Sequence, residues 1–482
     1  MATPLPKNRA AFSLAEIVLA TGGEARWGEP GDVFTGVSTD SRAVVPGEVF
    51  VALVGERFDG HDHVGAAIQK GAKLVIVSRD VEVPHGVAVL RVPDTLRTFG
   101  LLGQAHRRRW AARGARRVIG ITGSAGKTTT RHVTASLLAS LGRSVHASVG
   151  NLNNAIGVPT VLLGLEDKHD DAVIEIGMST PGEIAWASSL VEPDAAVVTL
   201  VADAHTEGVG SIWGVAREKS EIFAAGRPRG VAVANADSPG ARAGLVRARA
   251  RRHLLYGEAP DADVRLVSRA ALGSKGADVV IEVRRPGVAT RIEARLPLLG
   301  TAGAYASLAA VAVAVGLDES TASRGADMAR ALEALREPED GRLAPRAAPD
   351  GTLVIDDAYN ANPASMIASI RAAGEIAAAE GRRLVLILGV MRELGVRSDE
   401  LHAEVGRAAA AARPAALVVV HQDAGAMAQA AEASGVQARR VPDASAAADL
   451  ALEVAQAGDV VLVKASNSLG LSAVASRLVA RS

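Results

Sequence analysis

The chain contains no cysteine. Disulfide staples, thiolate zinc sites and cysteine nucleophiles are therefore excluded. Aromatic residues make up only 3% of its 482 residues. Few rings are left for stacking on bases, and the core must be built mostly from Ala, Val, Leu and Ile. Neither sign of charge is in excess, with 53 Lys and Arg against 53 Asp and Glu. A global basic footprint for nucleic acid is thus missing. One local cluster, Arg107-Arg108-Arg109 with Arg113, Arg116 and Arg117, reads as a solvated helix face or a domain linker. No run of about 18 apolar residues is evident, and Met1 to Lys7 lacks the apolar core of a signal peptide. These absences lead to the expectation of a soluble, cytoplasmic, monomeric protein with no membrane span and no nucleic-acid partner.

What is present is ample material for burial, with 48% apolar residues. The length exceeds what one core accommodates, so several domains are expected. Three regions can be drawn: 1–114, 115–339 and 340–482. The first mixes short strands such as Val49–Val54 and Leu74–Val77 with turns rich in Gly, Asp and His. The second alternates apolar strands (Arg117–Ile121, Ala172–Ile176, Ala195–Leu200, Val231–Asn235) with helical segments and closes with a helix over Ala304–Val315. The charged link Arg336 to Gly341 separates it from the third region, with strands at Thr352–Ile355, Arg383–Leu388, Ala416–Val420 and Val460–Val463. Such alternation predicts an α/β chain: a small N-terminal domain, a central parallel-sheet domain and a Rossmann-like C-terminal domain.

The most informative segment is Gly120-Ile121-Thr122-Gly123-Ser124-Ala125-Gly126-Lys127-Thr128-Thr129-Thr130, placed between a strand and a helix. This is the setting of a phosphate-binding loop. Backbone N–H groups and the helix N-terminus face the anion, Lys127 adds a point charge, and the Thr128 hydroxyl can ligate Mg²⁺. Gly123, Ser124, Ala125, Gly126, Lys127, Thr128 and Thr129 are the candidate triphosphate contacts. Glu175 ends an apolar strand beside this loop, where α/β sheets bind ligands, and a carboxylate there is costly unless it meets a cation. His205 follows another strand at the same edge and is a candidate metal ligand; alone it would be only a polar loop residue. Lys219, read alone, is a helix-surface lysine. Asp356-Asp357-Ala358-Tyr359-Asn360-Ala361-Asn362-Pro363 ends a strand of the third region and serves equally as a ligand loop or a helix cap.

Taken together, these segments resemble the Mur ligases, ATP-dependent amide-forming enzymes of peptidoglycan assembly. The resemblance spans essentially the whole chain. It includes Asn151 to Gly157, Glu175 to Ser179 with Pro181 to Ile184, Ala204 to Gly208, and Glu218 to Ile222, which is similar to the segment holding the family's carbamylated lysine. Ser38 to Arg42 and Gly55 to Asp62 resemble the first domain that holds a uridine nucleotide. Asp356 to Pro363 and Leu388 to Gly395 with His402 resemble the branch that adds D-alanyl-D-alanine. The resemblance implies a ligase that joins D-alanyl-D-alanine to UDP-N-acetylmuramoyl-tripeptide through an acyl phosphate. It implies two Mg²⁺ ions held by Thr128, Glu175, His205 and a carbamylated Lys219. Arg342 and Asp356 would complete the ATP site, and Ser41, Arg42, Asp59, Asn151, Asn154, Asn360 and Asn362 would contact substrate.

The chain departs from the family pattern in places. The family's G-x-H-N-x-x-N appears as Gly300-Thr301-Ala302-Gly303-Ala304-Tyr305-Ala306, K-G-S-R appears as Lys464-Ala465-Ser466-Asn467, and Leu200 stands where an Asn is usual. Side-chain hydrogen bonds to nucleotide from positions 302, 303 and 306 are impossible. Weak ATP affinity or relaxed base preference is expected unless neighbouring residues compensate. The losses also fit a binding or regulatory relative without turnover, while the intact loop, Glu175, His205 and Lys219 favour an enzyme; another amino-acid ligase of the same superfamily is a further alternative.

Overall fold

The computed structural model describes residues 5–56, 58–203, 206–336 and 341–481. His205 and most of the charged link, residues 337–340, lie outside the described residues.

Three main sheets follow one another along the chain. The first has five strands in the order Glu24–Trp27, Ala88–Arg91, Leu74–Val77, Val49–Val51 and Val37–Ser38, parallel except for the first pair. The second has nine, in the order Val145–Ala147, Asp171–Glu175, Arg117–Thr122, Ala195–Val198, Val231–Asn235, Arg252–Gly257, Val264–Ala271, Ala277–Arg285 and Val288–Leu296. The third has six, in the order Ala344–Ala347, Leu353–Asp356, Val460–Lys464, Leu384–Gly389, Ala416–Val420 and Ala438–Val441. Parallel strands covered by helices on both faces lose polar alternation. That is why Val231–Asn235 and Val460–Lys464 are continuous buried runs.

The strand Arg117–Thr122 is the first of the central sheet in sequence, yet it lies between Asp171–Glu175 and Ala195–Val198. The chain winds away from it in both directions. A crevice opens outside the carboxyl ends of strands at such a switch point, and the glycine-rich loop sits in it. Gly126 caps the helix Lys127–Ser140 with φ +81.

The central sheet ends in an antiparallel extension absent from the sequence reading. Its strands, Val264–Ala271, Ala277–Arg285 and Val288–Leu296, pair in hairpins. In Ala277–Arg285 buried residues alternate with partly exposed ones. Charged residues on the outward positions dilute the apolar signal that marks the parallel strands.

The arginine cluster is not simply solvated. Arg107 is completely buried and donates from Nε to Val191 O at 2.8 Å. Burial pulls its guanidinium down to about 10. Arg108 pairs with Glu192, Arg109 with Glu16, Arg113 and Arg116 with Asp167, and Arg117 with Asp171. Arg107 and Arg108 thus fix the helix Thr95–Ala111 to the central domain at Val191 and Glu192, and Arg109 ties it to the N-terminal helix Leu14–Thr21 through Ser13-capping Glu16.

The helix Gly300–Leu317 extends the segment expected at Ala304–Val315 at both ends. Its 18 residues have a mean hydropathy of 1.6, which by length and composition suffices to cross a membrane, but 78% of it is buried inside the protein. Apolar on all sides, it is a core helix lying against the strands Val231–Asn235 and Arg252–Gly257 and the helix Lys127–Ser140.

One consequence is testable through pH. The His146 ring faces His169 with 4.9 Å between centroids, and its Nε2 donates to Val161 O at 2.9 Å. Burial lowers its pKa to about 4. The unfolded chain takes up this proton near pH 6.5, the folded chain only near 4, so stability is full above about 6.5 and is lost as pH falls toward 4. The loss is at most about 3 kcal/mol. Urea unfolding at pH 7.5 and pH 5 measures it, and His146→Gln should flatten the difference. An unchanged difference in that variant would place the acid sensitivity elsewhere.

Candidate active site

The switch-point crevice is the floor of a cavity of about 420 Å³. Its floor is Ser124 to Thr130 with Asn153, Glu175 and Thr199. One wall is the start of the helix Gly300–Leu317, and the other comes from the C-terminal domain through Arg342, Asp357, Asn360, Asn362 and Lys464.

The loop packs against the next strand end at a position with no room for a side chain. Gly123 has φ +155, and a Cβ on it would come within 1.9 Å of Thr199 Oγ1. Thr199 Oγ1 donates to Ala125 O at 2.6 Å, and Ser124 N donates to Leu200 O at 2.6 Å. The next strand end therefore pins the loop. Lys127 rests on its own loop, donating from Nζ to Gly123 O at 2.9 Å. Its pKa is lowered, chiefly by burial and then by Arg342, with Glu175 opposing.

Glu175 closes the strand Asp171–Glu175 opposite Ile121 and is almost fully buried. It accepts from Thr128 Oγ1 at 2.8 Å and from Asn153 Nδ2 at 2.8 Å, and Arg131 Nε lies 3.6 Å away. A hydroxyl and one carboxylate suit a hard cation that shares its remaining positions with water and phosphate, as Mg²⁺ does. No cluster of three or more His, Cys, Asp or Glu that could cage a metal occurs among the described residues. The donor set thus fits an ion brought in with phosphate.

Lys219 is no surface lysine. It is 1% exposed in the helix Ile212–Ala225. Burial drives its pKa well below the ordinary value, and the Lys127 charge lowers it further. Its amine is thereby pushed toward the neutral form within the electrostatic reach of the phosphate loop.

Across the cavity, Asn362 Oδ1 caps the helix Pro363–Ala379 by accepting from Ser365 N at 2.9 Å, while its Nδ2 donates to Ser124 O at 3.0 Å. Both ends of this amide are therefore occupied, one by the cap and one by the phosphate loop. Lys464 is buried and donates to Asp357 Oδ2 at 2.6 Å and Asn360 O at 2.9 Å. The Arg342 guanidinium lies over the Tyr359 ring at 4.1 Å.

Comparison with known proteins agrees with this arrangement. The model of the Mur ligase middle domain matches residues 121–314, that of the Mur ligase, glutamate ligase domain matches 341–467, and that of the Mur ligase family, catalytic domain matches 33–106. The chain belongs to the Mur ligase family. The UDP-N-acetylmuramoyl-tripeptide–D-alanyl-D-alanine ligase of Escherichia coli is 38% identical to it over 379 residues, 78% of this chain and 79% of that one. The ligase of the same name from Synechocystis is 33% identical over 448 residues, 92% of each. A crystal structure of MurF from Acinetobacter baumannii superposes with a TM-score of 0.84 at 30% identity, covering 99% of this chain and 100% of that one. MurF from Thermotoga maritima in complex with ADP superposes with a TM-score of 0.77 at 26% identity, covering 92% and 96%.

Within this Mur ligase, not every residue expected at the site reaches the cavity. Gly123 contributes backbone to the loop, and Ser124 to Thr129, Glu175, Arg342, Asn360 and Asn362 line the cavity. Asp356 does not. Its Oδ1 accepts from Ala358 N at 3.1 Å, and Asp357 faces the cavity instead, because successive residues at a strand end point to opposite sides. Asn154 Oδ1 accepts from Gly157 N at 2.8 Å just ahead of the helix Gly157–Leu163, and neither Asn154 nor Asn151 belongs to the lining. Ser41, Arg42 and Asp59 belong to the N-terminal domain, away from this cavity. Arg42 there forms a two-bond pair with Asp40, and Asp59 accepts from His61 Nδ1 at 2.5 Å. His205 lies outside the described residues. Residues that the sequence reading passed over are Asn153, Arg131, Asp357 and Lys464. Asn153, Asp357 and Lys464 stood inside motifs already singled out, while buried Arg131 gave no signal.

Proposed function

We propose that this Mur ligase joins D-alanyl-D-alanine to UDP-N-acetylmuramoyl-tripeptide with cleavage of ATP to ADP and phosphate. The observation that carries the reading is one cavity built from a phosphate loop on the central sheet and Asn362, Asp357 and Lys464 on the C-terminal sheet. The extent of similarity to D-alanyl-D-alanine ligases supports the substrate pair.

A carboxylate is a poor electrophile. Its oxygen attacks the γ-phosphorus of ATP and ADP leaves, giving an acyl phosphate. The dipeptide amine then attacks the carbonyl carbon and expels phosphate, losing its proton. Lys127, turned from Gly123 O toward phosphate, would neutralise charge that builds on the transferred group. Thr128 and Glu175 would hold one Mg²⁺, with His205 and a carbamylated Lys219 holding a second. When bound, these ions supply charge neutralisation at the phosphates. Asn153 and Arg131 would keep the Glu175 carboxylate aimed.

The boundaries 1–114, 115–339 and 340–482 assign the uridine nucleotide end, ATP, and the dipeptide to successive domains. We read the enzyme as a cytoplasmic monomer, since ATP and a UDP-linked substrate are supplied there. Phosphate release with UDP-muramoyl-tripeptide, with and without D-alanyl-D-alanine, tests the reading. Dipeptide-dependent release is expected. Release with glutamate or diaminopimelate in its place would assign a different ligase, and none with any acceptor would leave a non-catalytic family member.

A further inference from the structure

The nucleotide wall of the cavity lacks the polar side chains that its helix start usually offers, and other polar groups stand beside the gap. Ala302, Gly303 and Ala306 supply no donor or acceptor side chain, but Asn235, Asp237 and Tyr305 line the same wall. The Tyr305 hydroxyl donates to Asp237 Oδ2 at 2.8 Å. Burial and the nearby Asp237 charge raise the pKa of this phenol, so it stays protonated and donating at neutral pH. The same carboxylate accepts from Glu258 N at 2.6 Å and Ala259 N at 3.0 Å. A carboxylate has about four acceptor positions, so capacity remains.

Asn235 ends the strand Val231–Asn235 and is 5% exposed. Its Oδ1 accepts from Asp237 N at 2.9 Å, which fixes the amide orientation and leaves the NH₂ as the group toward the cavity. No hydrogen-bond partner for that NH₂ is found among the described residues. The wall thus presents an anchored acceptor next to a buried donor.

Building on the ATP-dependent reading, we propose that Asp237 and Asn235, held in place by Tyr305, read the purine and select adenine over guanine. Adenine presents its 6-amino donor beside the N7 acceptor, the complement of a carboxylate beside an amide NH₂. On the same edge guanine presents O6 and N7, both acceptors, so O6 would face the Asp237 carboxylate with no proton between them. Selection is moved from the helix start to the neighbouring strand end, so the loss at positions 302, 303 and 306 does not relax base preference.

Calorimetric titration of the full chain with ADP and with GDP, in the presence of Mg²⁺ and without peptide, tests this. ADP should bind at least about tenfold more tightly than GDP, and Asp237→Asn should reduce that ratio about tenfold. Because Asp237 also holds the 258–259 turn, Tyr305→Phe is the second variant: its hydroxyl bonds Asp237, and its loss should lower the ratio without lowering the melting temperature by more than a few degrees. ADP binding with an unchanged ratio in both variants, or tighter binding of GDP by the parent chain, overturns the proposal. Absence of any ADP binding would remove the ATP-dependent reading and this inference together.

Discussion

Replacing Lys127 with alanine is expected to lower turnover by at least about a hundredfold, a loss of roughly 2.7 kcal/mol of transition-state stabilisation. The amine is buried within the electrostatic reach of Glu175 and Arg342, and among the described residues its one hydrogen bond goes to a backbone carbonyl, Gly123 O. A group carrying a buried charge against a backbone oxygen is poised for a stronger acceptor, and a triphosphate supplies one. The folded state gains little from this lysine, because burial already disfavours its charged form. Lys127→Ala should therefore unfold at nearly the parent temperature while losing activity. Phosphate release at saturating ATP makes the comparison, and a near-parental rate would end the catalytic assignment.

Lys219→Ala is expected to be equally damaging, with partial recovery when a short carboxylic acid is added. The side chain is buried, and its pKa is pushed well down by burial and by the charge of Lys127. A second ammonium at Lys219 would be disfavoured by the Lys127 charge, whereas an anion there would be favoured by it. Reaction of the neutral amine with CO₂ gives a carbamate and a proton, turning a buried base into an oxygen ligand of the kind Mg²⁺ accepts. Acetate or formate in the space left by alanine would restore an oxygen near that place. Isotope-labelled bicarbonate should give a carbamate carbon resonance in the parent chain that is missing from the variant. Full activity of Lys219→Ala, or no such resonance in the active parent, would remove the carbamate from the mechanism.

The sequence made the parallel strands legible because burial on both faces writes them as unbroken apolar runs, as in Leu74–Val77 and Ala416–Val420. The phosphate loop was legible because its glycines are required by the backbone itself. The hairpins from Val264 to Leu296 were not, since their outward positions carry Arg and Glu. Ser124 to Thr129 and Glu175, whose motifs point to one role each, do line the cavity, while residues with overlapping roles were harder to place from sequence. Asn362 serves as helix cap and as a clamp on the loop of another domain, and only the second role depends on a residue 238 positions away. Asp356 and Asp357 differ in sequence only by parity, and it is the strand direction that decides which one faces the cavity. Lys219 looked exposed because the local sequence does not reveal how the neighbouring helices Glu183–Val191 and Pro239–Gly244 pack against its helix.

The helix Gly300–Leu317 has a consequence for the order in which the chain can fold during synthesis. Such a segment, arriving before its receptor surface, would be sticky to lipid and to other nascent chains. Its receptors are the helix Lys127–Ser140 and the strands between Ala195 and Ala271, all of which precede it. When the helix emerges from the ribosome, the groove that takes it has already been made, and the interval in which it stays uncovered is short. The short helix Glu319–Ser323 closes on it just after it emerges, and its first turn, where Gly300 meets Ala372 of the helix Pro363–Ala379, waits for the C-terminal domain. That turn is also the wall of the nucleotide site, so the last piece of the central domain to be fixed is the one that the C-terminal domain completes.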